Sequence, residues 1–146
     1  MGYNLRVYGI LINEKKQVLL SHERKGKLMF TKFPGGGHEL GEGLQDCLLR
    51  EFQEELQLDV KITSHFYTTD FYQASVFNDN DQLISFYYKV ETPNAESIVN
   101  GAKNQDDQSD NFDYFFWKDM NELTSDDVTF PIDKKVVDLL IREFNK

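Results

Sequence analysis

Pro34 and five glycines (Gly35, Gly36, Gly37, Gly41 and Gly43) crowd ten consecutive residues, and a helical pattern begins directly after them. Glycine and proline punctuate local structure, so the chain is cut here into a loop followed by a helix. Over Leu44–Leu56 the residues Leu48, Phe52 and Leu56 recur every fourth position, the signature of one helical face. Glu51, Glu54 and Glu55 stand at i, i+3 and i+4 on the same stretch, within an arc of roughly 100°. Leu48, Leu49, Phe52 and Leu56 fill the neighbouring arc, which is expected to anchor the helix in the core.

The rest of the chain reads mostly as strands. Residues 5–12 are rich in β-formers and end in the polar turn 13–16, and residues 17–22 read as the return strand of a hairpin. A short strand is expected at 30–33, where Pro34 and the glycines break it. Further strands are expected at 60–72, 83–91 and 112–117, with a polar loop over 92–111. Pro131 marks a helix start, and Val136, Val137, Leu140 and Ile141 form an apolar stripe behind it. No repeat or linker divides the 146 residues, so one domain over 1–146 is expected. Strands interleaved with two helices predict the α/β class, as a mixed β-sheet covered on both faces.

Charge narrows the function. A formal net charge of −9 disfavours nucleic acid and anionic membranes as partners. No apolar run approaches the ~18–20 residues that span a membrane, and residues 1–4 carry no signal-peptide apolar region. Together with the lone cysteine, Cys47, this points to a cytoplasmic protein. A polyphosphate substrate would need its repulsion by the chain offset, and carboxylate-held divalent cations do that. Like charges as close as Glu51, Glu54 and Glu55 destabilise a bare helix by tenths of a kcal/mol per pair. A hard cation such as Mg²⁺ reverses the sign, because it seeks several oxygen ligands. The glycines allow close backbone approach, offering carbonyls to metal or N–H groups to phosphate.

Other candidates are weaker. Arg24, Lys25, Lys27 and Lys32 form a basic stretch before the glycines; a solvated loop is the default, and contact with substrate phosphates, Arg24 foremost, is the functional alternative. Cys47 lacks a histidine placed to activate it. His22, His38 and His65 are too scattered to make a site, and each is expected to be a surface or hydrogen-bonded residue.

Gly36, Glu42, Arg50, Glu51, Glu54 and Glu55, with apolar Phe52 and Leu58, resemble the Nudix box. Its pattern is Gly, five residues, Glu, seven residues, then Arg-Glu-apolar-any-Glu-Glu-any-Gly-apolar, here over residues 36–58. Six fixed types at about 6% each coincide by chance on the order of once in 10⁷ to 10⁸ registers, so composition alone does not produce the match. The flanks, Phe33-Pro34 and the aromatic strand ending at Trp117, are similar too. One position departs: the box has glycine where this chain has Gln57, which bears on how the helix ends.

The resemblance implies a Nudix-type α/β/α sandwich that hydrolyses a nucleoside diphosphate linked to another moiety, such as a nucleoside triphosphate or ADP-ribose. It implies that Glu54 and Glu55 bind Mg²⁺ or Mn²⁺, with the Gly35 carbonyl as a further ligand. Glu51 would ligate metal or orient the nucleophilic water, Arg50 and Glu42 would buttress helix and loop, and Gly36 and Gly37 would face phosphate. The expected partner is a small nucleotide-type substrate, and any self-association is expected as a homodimer. Family members often draw a further acid from outside the box; Asp106, Asp107 and Asp110 lie in a suitable segment, and Asn111 stands where some relatives carry glutamate. Two alternatives are a non-catalytic nucleotide or sugar-phosphate sensor, which would usually have lost box glutamates, and an isoprenyl diphosphate isomerase, which needs a cysteine outside the box.

Overall fold

Beginning at Gly2, the chain runs through β1 (Gly2–Leu11), β2 (Gln17–Lys25), β3 (Leu28–Lys32), β4 (Gly35–Gly37) and α1 (Leu44–Leu56). It continues through β5 (Lys61–Thr68), β6 (Asp81–Glu91), β7 (Gly101–Lys103), β8 (Phe112–Asp119) and α2 (Pro131–Phe144). This is a computed structural model describing residues 1–76, 78, 80–103 and 112–146. The fold is of the mixed α/β class with two helices, as the sequence predicts. Its strands form two four-stranded sheets among the described residues, ordered β4-β1-β6-β5 and β3-β2-β8-β7.

The chain divides into two compact units, each woven from two segments. One comprises Met1–Ile10 and Pro34–Pro93, and the other Leu11–Phe33 and Asn94–Lys146. The first holds the β4-β1-β6-β5 sheet and α1; the second holds the β3-β2-β8-β7 sheet and α2.

In the first unit, Val7, Tyr8 and Ile10 of β1 are buried. Successive strand side chains point to opposite faces, so both faces of β1 are covered. One neighbour is identifiable at Gly9, where an added Cβ would lie 2.6 Å from the Phe52 ring. Glycine inside an apolar strand marks such a close approach, and here it seats α1 against β1. Tyr8, Tyr67 and Tyr87 group their rings, with Tyr87 5.2 Å from Tyr8 and 6.3 Å from Tyr67 between centroids. Strand β5 shows two register shifts against β6, and half of its residues are exposed.

In the second unit, Val18, Leu19, Leu20 and Ser21 are consecutively buried on β2. Pro131 occupies the first turn of α2, and Ile132, Val136, Val137 and Leu140 form its buried stripe.

Three expectations are corrected. The hairpin between 5–12 and 17–22 survives only as an isolated Ile12–Val18 bridge. Strand β1 pairs with β4 and neighbours β6, while β2 pairs with β3 and β8. Local pattern identifies a strand, but its partners depend on which edges the buried faces of each sheet leave available. The glycines, expected as a plain break, form β4: Gly35, Gly36 and Gly37 pair antiparallel with Tyr8, Val7 and Arg6. Backbone pairing needs no side chain, which is why three glycines suffice. The expected loop at 92–111 also contains β7.

Candidate active site

Local geometry at the helix start sets the site. Gly43 is extended at the N-cap, and its N–H donates to Asp46 Oδ2 at 3.3 Å, which places a carboxylate in the first turn, where the helix dipole favours negative charge. Upstream, Glu42 is folded back on its own loop. Its Oε1 accepts from the Glu39 N–H at 2.9 Å, and its carbonyl accepts from His38 Nε2 at 2.6 Å.

Cys47, Leu48 and Phe52 form the buried stripe of α1. The expected stripe is thereby rotated: Leu49 is 38% exposed, and Cys47 takes the buried place, its Sγ donating to the Gly37 carbonyl at 3.5 Å. The wheel could not anticipate this, because β4 covers the helix on the Cys47 side.

Arg50 sits in the middle of the box. Its Nε and Nη2 grip both oxygens of Glu42 at 3.0 and 2.8 Å, a two-pronged geometry that is among the stronger hydrogen-bonded pairings. Its Nη1 donates to Glu51 and Glu54, each at 3.2 Å, and Nη2 also donates to the Gly37 carbonyl at 3.1 Å. Glu39 lies 3.8 Å from Nη1. One guanidinium therefore joins four carboxylates to the glycine strand. The Arg50 hydrogen bonds, and then the Glu39 N–H, hold the Glu42 carboxyl down at about 2. Glu42 in turn pushes the Arg50 guanidinium further up.

The glycines have separate tasks. At Gly35 φ is +147°, and a Cβ would fall 2.1 Å from the Val7 carbonyl. At Gly36 a Cβ would meet the Glu51 carboxylate at 2.6 Å. The missing side chain at position 36 is thus a cradle for Glu51, which is mostly shielded from solvent.

The helix ends through Gln57 itself. Its φ and ψ are 49° and 43°, its N–H reaches Gln53 O at 3.0 Å, and Leu58 N–H reaches Phe52 O at 3.4 Å. The Gln57 N–H to Gln53 O bond is that of the αL closure, with glutamine in the left-handed position where glycine is usual. The Gln57 side chain adds a hydrogen bond, Nε2 to Glu54 O at 3.0 Å.

Metal binding can be tested against the donors present. Among the described residues, no three His, Cys, Asp or Glu side chains converge as a metal-binding group, and Glu51 and Glu54 turn toward Arg50. The donor chemistry nevertheless suits a hard divalent cation: three glutamates within one helical turn, one of them in the Gly36 cradle, supply only oxygen.

Other candidates resolve differently. Arg24 lies in the second unit, its Nε donating to the Gly26 carbonyl at 2.9 Å. Lys32, expected on a solvated stretch, is buried and paired with Glu23 at 2.8 Å. Burial opposes the Glu23 charge, but Lys32 outweighs it and the Glu23 pKa is lowered. His22, His38 and His65 are each hydrogen-bonded, as expected. The Cys47 thiol is pushed up to about 12, first by burial and then by Glu42, which leaves it unsuited to nucleophilic attack. Asp106, Asp107, Asp110 and Asn111 lie outside the described residues. One residue escaped the sequence reading: Gly9, whose signal is a glycine within an apolar strand.

The NUDIX domain profile matches residues 2–140 of this chain. The chain belongs to the Nudix family and is a Nudix hydrolase. An RNA pyrophosphohydrolase of Orientia tsutsugamushi (strain Boryong) is 24% identical, over 99% of this chain and 91% of that protein. Among solved structures, the MutT protein from Methanosarcina mazei Go1 superposes with a TM-score of 0.70 at 19% identity, covering 99% and 97% of the two chains. A NUDIX hydrolase from Nitrosomonas europaea gives 0.66 at 16% identity, covering 97% and 90%. At such identities the structural likeness speaks to the fold.

Proposed function

We propose that this chain is a divalent-metal-dependent hydrolase of the cytoplasm that cleaves the diphosphate linkage of a small nucleotide-type substrate. The observation that carries the reading is the Arg50 hub, which ties Glu42, Glu51 and Glu54 of the box to the carbonyl of Gly37. A purely solvated acidic face would not enclose an arginine whose every donor is spoken for.

In this reading Glu51, Glu54 and Glu55, with the Gly35 carbonyl, hold Mg²⁺ or Mn²⁺. When bound, such an ion neutralises charge on phosphoryl oxygens and acidifies water. The protein's own contribution is positional. Arg50 and Glu42 keep α1 and the glycine strand in register, Gly36 leaves space for the Glu51 carboxylate, and Gly36 and Gly37 offer a side-chain-free backbone to the phosphates. Water is oriented for in-line attack on phosphorus. The −9 charge favours compact nucleotides over long polyanions. The name of the Orientia relative also points to a 5′-polyphosphate end as a substrate to test.

The test is a panel of nucleoside triphosphates, ADP-ribose, dinucleoside polyphosphates, NADH, sugar nucleotides and a 5′-triphosphorylated oligoribonucleotide, each with Mg²⁺, Mn²⁺ or a chelator. Metal-dependent release of a phosphoryl product, carrying label from heavy-oxygen water, is expected on at least one. Turnover that survives chelation, or label found only on the non-phosphoryl leaving group, overturns the mechanism.

A further inference from the structure

Glu42 is held from two sides. Its carboxylate takes the Arg50 fork and the Glu39 N–H, while its carbonyl accepts from the His38 ring at 2.6 Å. The turn from His38 to Glu42 is closed by three bonds: His38 Nε2 to the Glu42 carbonyl, the Glu39 N–H to Glu42 Oε1 at 2.9 Å, and the Glu42 N–H to the Glu39 carbonyl at 3.4 Å. The His38 bond is the shortest of the three. A carbonyl can only accept, so Nε2 carries the proton.

Packing does little for this turn. Leu40 is fully exposed, and Gly41, at φ +92°, has nothing within 4 Å of where a Cβ would be. His38 itself is fastened to the sheet, its N–H donating to the Leu5 carbonyl of β1 at 2.9 Å. Its ring therefore runs from a fixed strand to the far end of a turn that side-chain packing leaves loose. What hangs on that far end is the Glu42 carboxylate, and through Arg50 the carboxylates of Glu51 and Glu54. The box pattern assigns His38 nothing, since it falls among the five unspecified residues between Gly36 and Glu42.

We propose that His38 is a positioning residue for the hydrolysis: by holding the Glu42 carbonyl it keeps both Glu42 oxygens on Arg50, and so sets Glu51 and Glu54. The inference rests on the diphosphate-hydrolase reading above. Small misplacements near reacting groups act on the rate of the chemical step rather than on substrate binding, so the effect belongs in kcat.

The experiment compares His38→Leu, which removes the donor, with His38→Gln, which keeps an N–H donor on a flexible chain. His65→Leu is the control, since that ring bonds Thr68 on β5, outside the box. Each is measured for kcat and KM at saturating Mg²⁺ on the best substrate of the panel. Amide hydrogen exchange at Glu39 is followed by NMR in the metal-free protein. His38→Leu is expected to lower kcat about tenfold, the scale of one net hydrogen bond, with KM within about threefold and Glu39 exchange about tenfold faster. His38→Gln is expected to recover most of both losses, and His65→Leu to stay near wild type. A kcat within twofold of wild type in His38→Leu overturns the proposal, even if Glu39 exchanges faster, because the bond would then serve the loop and not the reaction. A rise in KM at unchanged kcat overturns it in favour of substrate contact, and a folded His38→Gln as slow as His38→Leu overturns it as well. If His38→Leu fails to fold, His38→Phe, a ring without the donor, takes its place under the same readings. If wild type hydrolyses nothing in the panel, the hydrolase reading falls, and Glu39 exchange alone judges whether His38 holds the turn.

Discussion

The Glu51 carboxylate occupies the space a side chain at Gly36 would need: a Cβ there would lie 2.6 Å from its carbon and from one oxygen. Helix and glycine strand meet at this point, and Arg50 fastens both sides of it. Gly36→Ala must push Glu51 out of its cradle or move the strand. Misplacement by about an ångström near reacting groups costs on the order of 10²-fold in rate, so kcat should fall by roughly that factor. Steady-state kinetics on the best substrate decides; a kcat within twofold of wild type would show that the position of Glu51 is immaterial.

Glu55→Gln should lower kcat by at least ~10²-fold, the scale of losing a key electrostatic stabiliser. The fold should persist, because one crowded negative charge is removed from a helix that carries several. Circular dichroism checks the fold and the panel assay checks turnover. Wild-type turnover in a Glu54→Gln/Glu55→Gln double variant would remove these carboxylates from the mechanism.

Glu42 couples the site to acid stability. Its folded pKa of about 2 lies below its ordinary 4.5, first because of Arg50. Between those values the unfolded chain binds more protons, so stability rises with pH. The contribution is fully present above 4.5 and is lost as pH falls toward 2. Denaturant titrations across this window should show a shallower pH slope for Glu42→Gln than for wild type. Equal slopes would mean that Arg50 does not favour the charged form of Glu42.

Gln57→Gly should be close to neutral, within about 1 kcal/mol. Relief of the left-handed conformation gains about 1–2 kcal/mol, and added freedom in the unfolded chain returns about 0.4–1. Loss of the Nε2 bond to Glu54 O removes a further ~0.5–1.5, toward the low end because it is exposed. Chemical denaturation measures the sum, and a stabilisation above ~1.5 kcal/mol would mean that the side-chain bond contributes nothing.

Cys47 should be dispensable for chemistry. Being buried, with its thiol pushed up to about 12, it should react with a thiol reagent only after unfolding. Cys47→Ala should keep kcat within about threefold, since no covalent step uses the sulfur. Rapid labelling of the native protein coupled to loss of activity would contradict both expectations.

The box spacing, the helix Leu44–Leu56 and the start of α2 at Pro131 were legible in the sequence because they are local. Helical period, glycine punctuation and a proline at a first turn act over a few residues and hardly depend on the rest of the chain. How the helix would end at Gln57 the sequence left open, and the structure puts the glutamine itself in the left-handed position. Tertiary structure decided the rest. It took β1 away from β2 and gave it β4 as a partner, because backbone pairing is indifferent to sequence distance and β1 is buried on both faces. It buried Cys47 and exposed Leu49, because a helix has a core side only once something packs on it. It also brought Arg6 to Gly37 across 30 intervening positions, a proximity that no local spacing encodes and only the β1–β4 register creates.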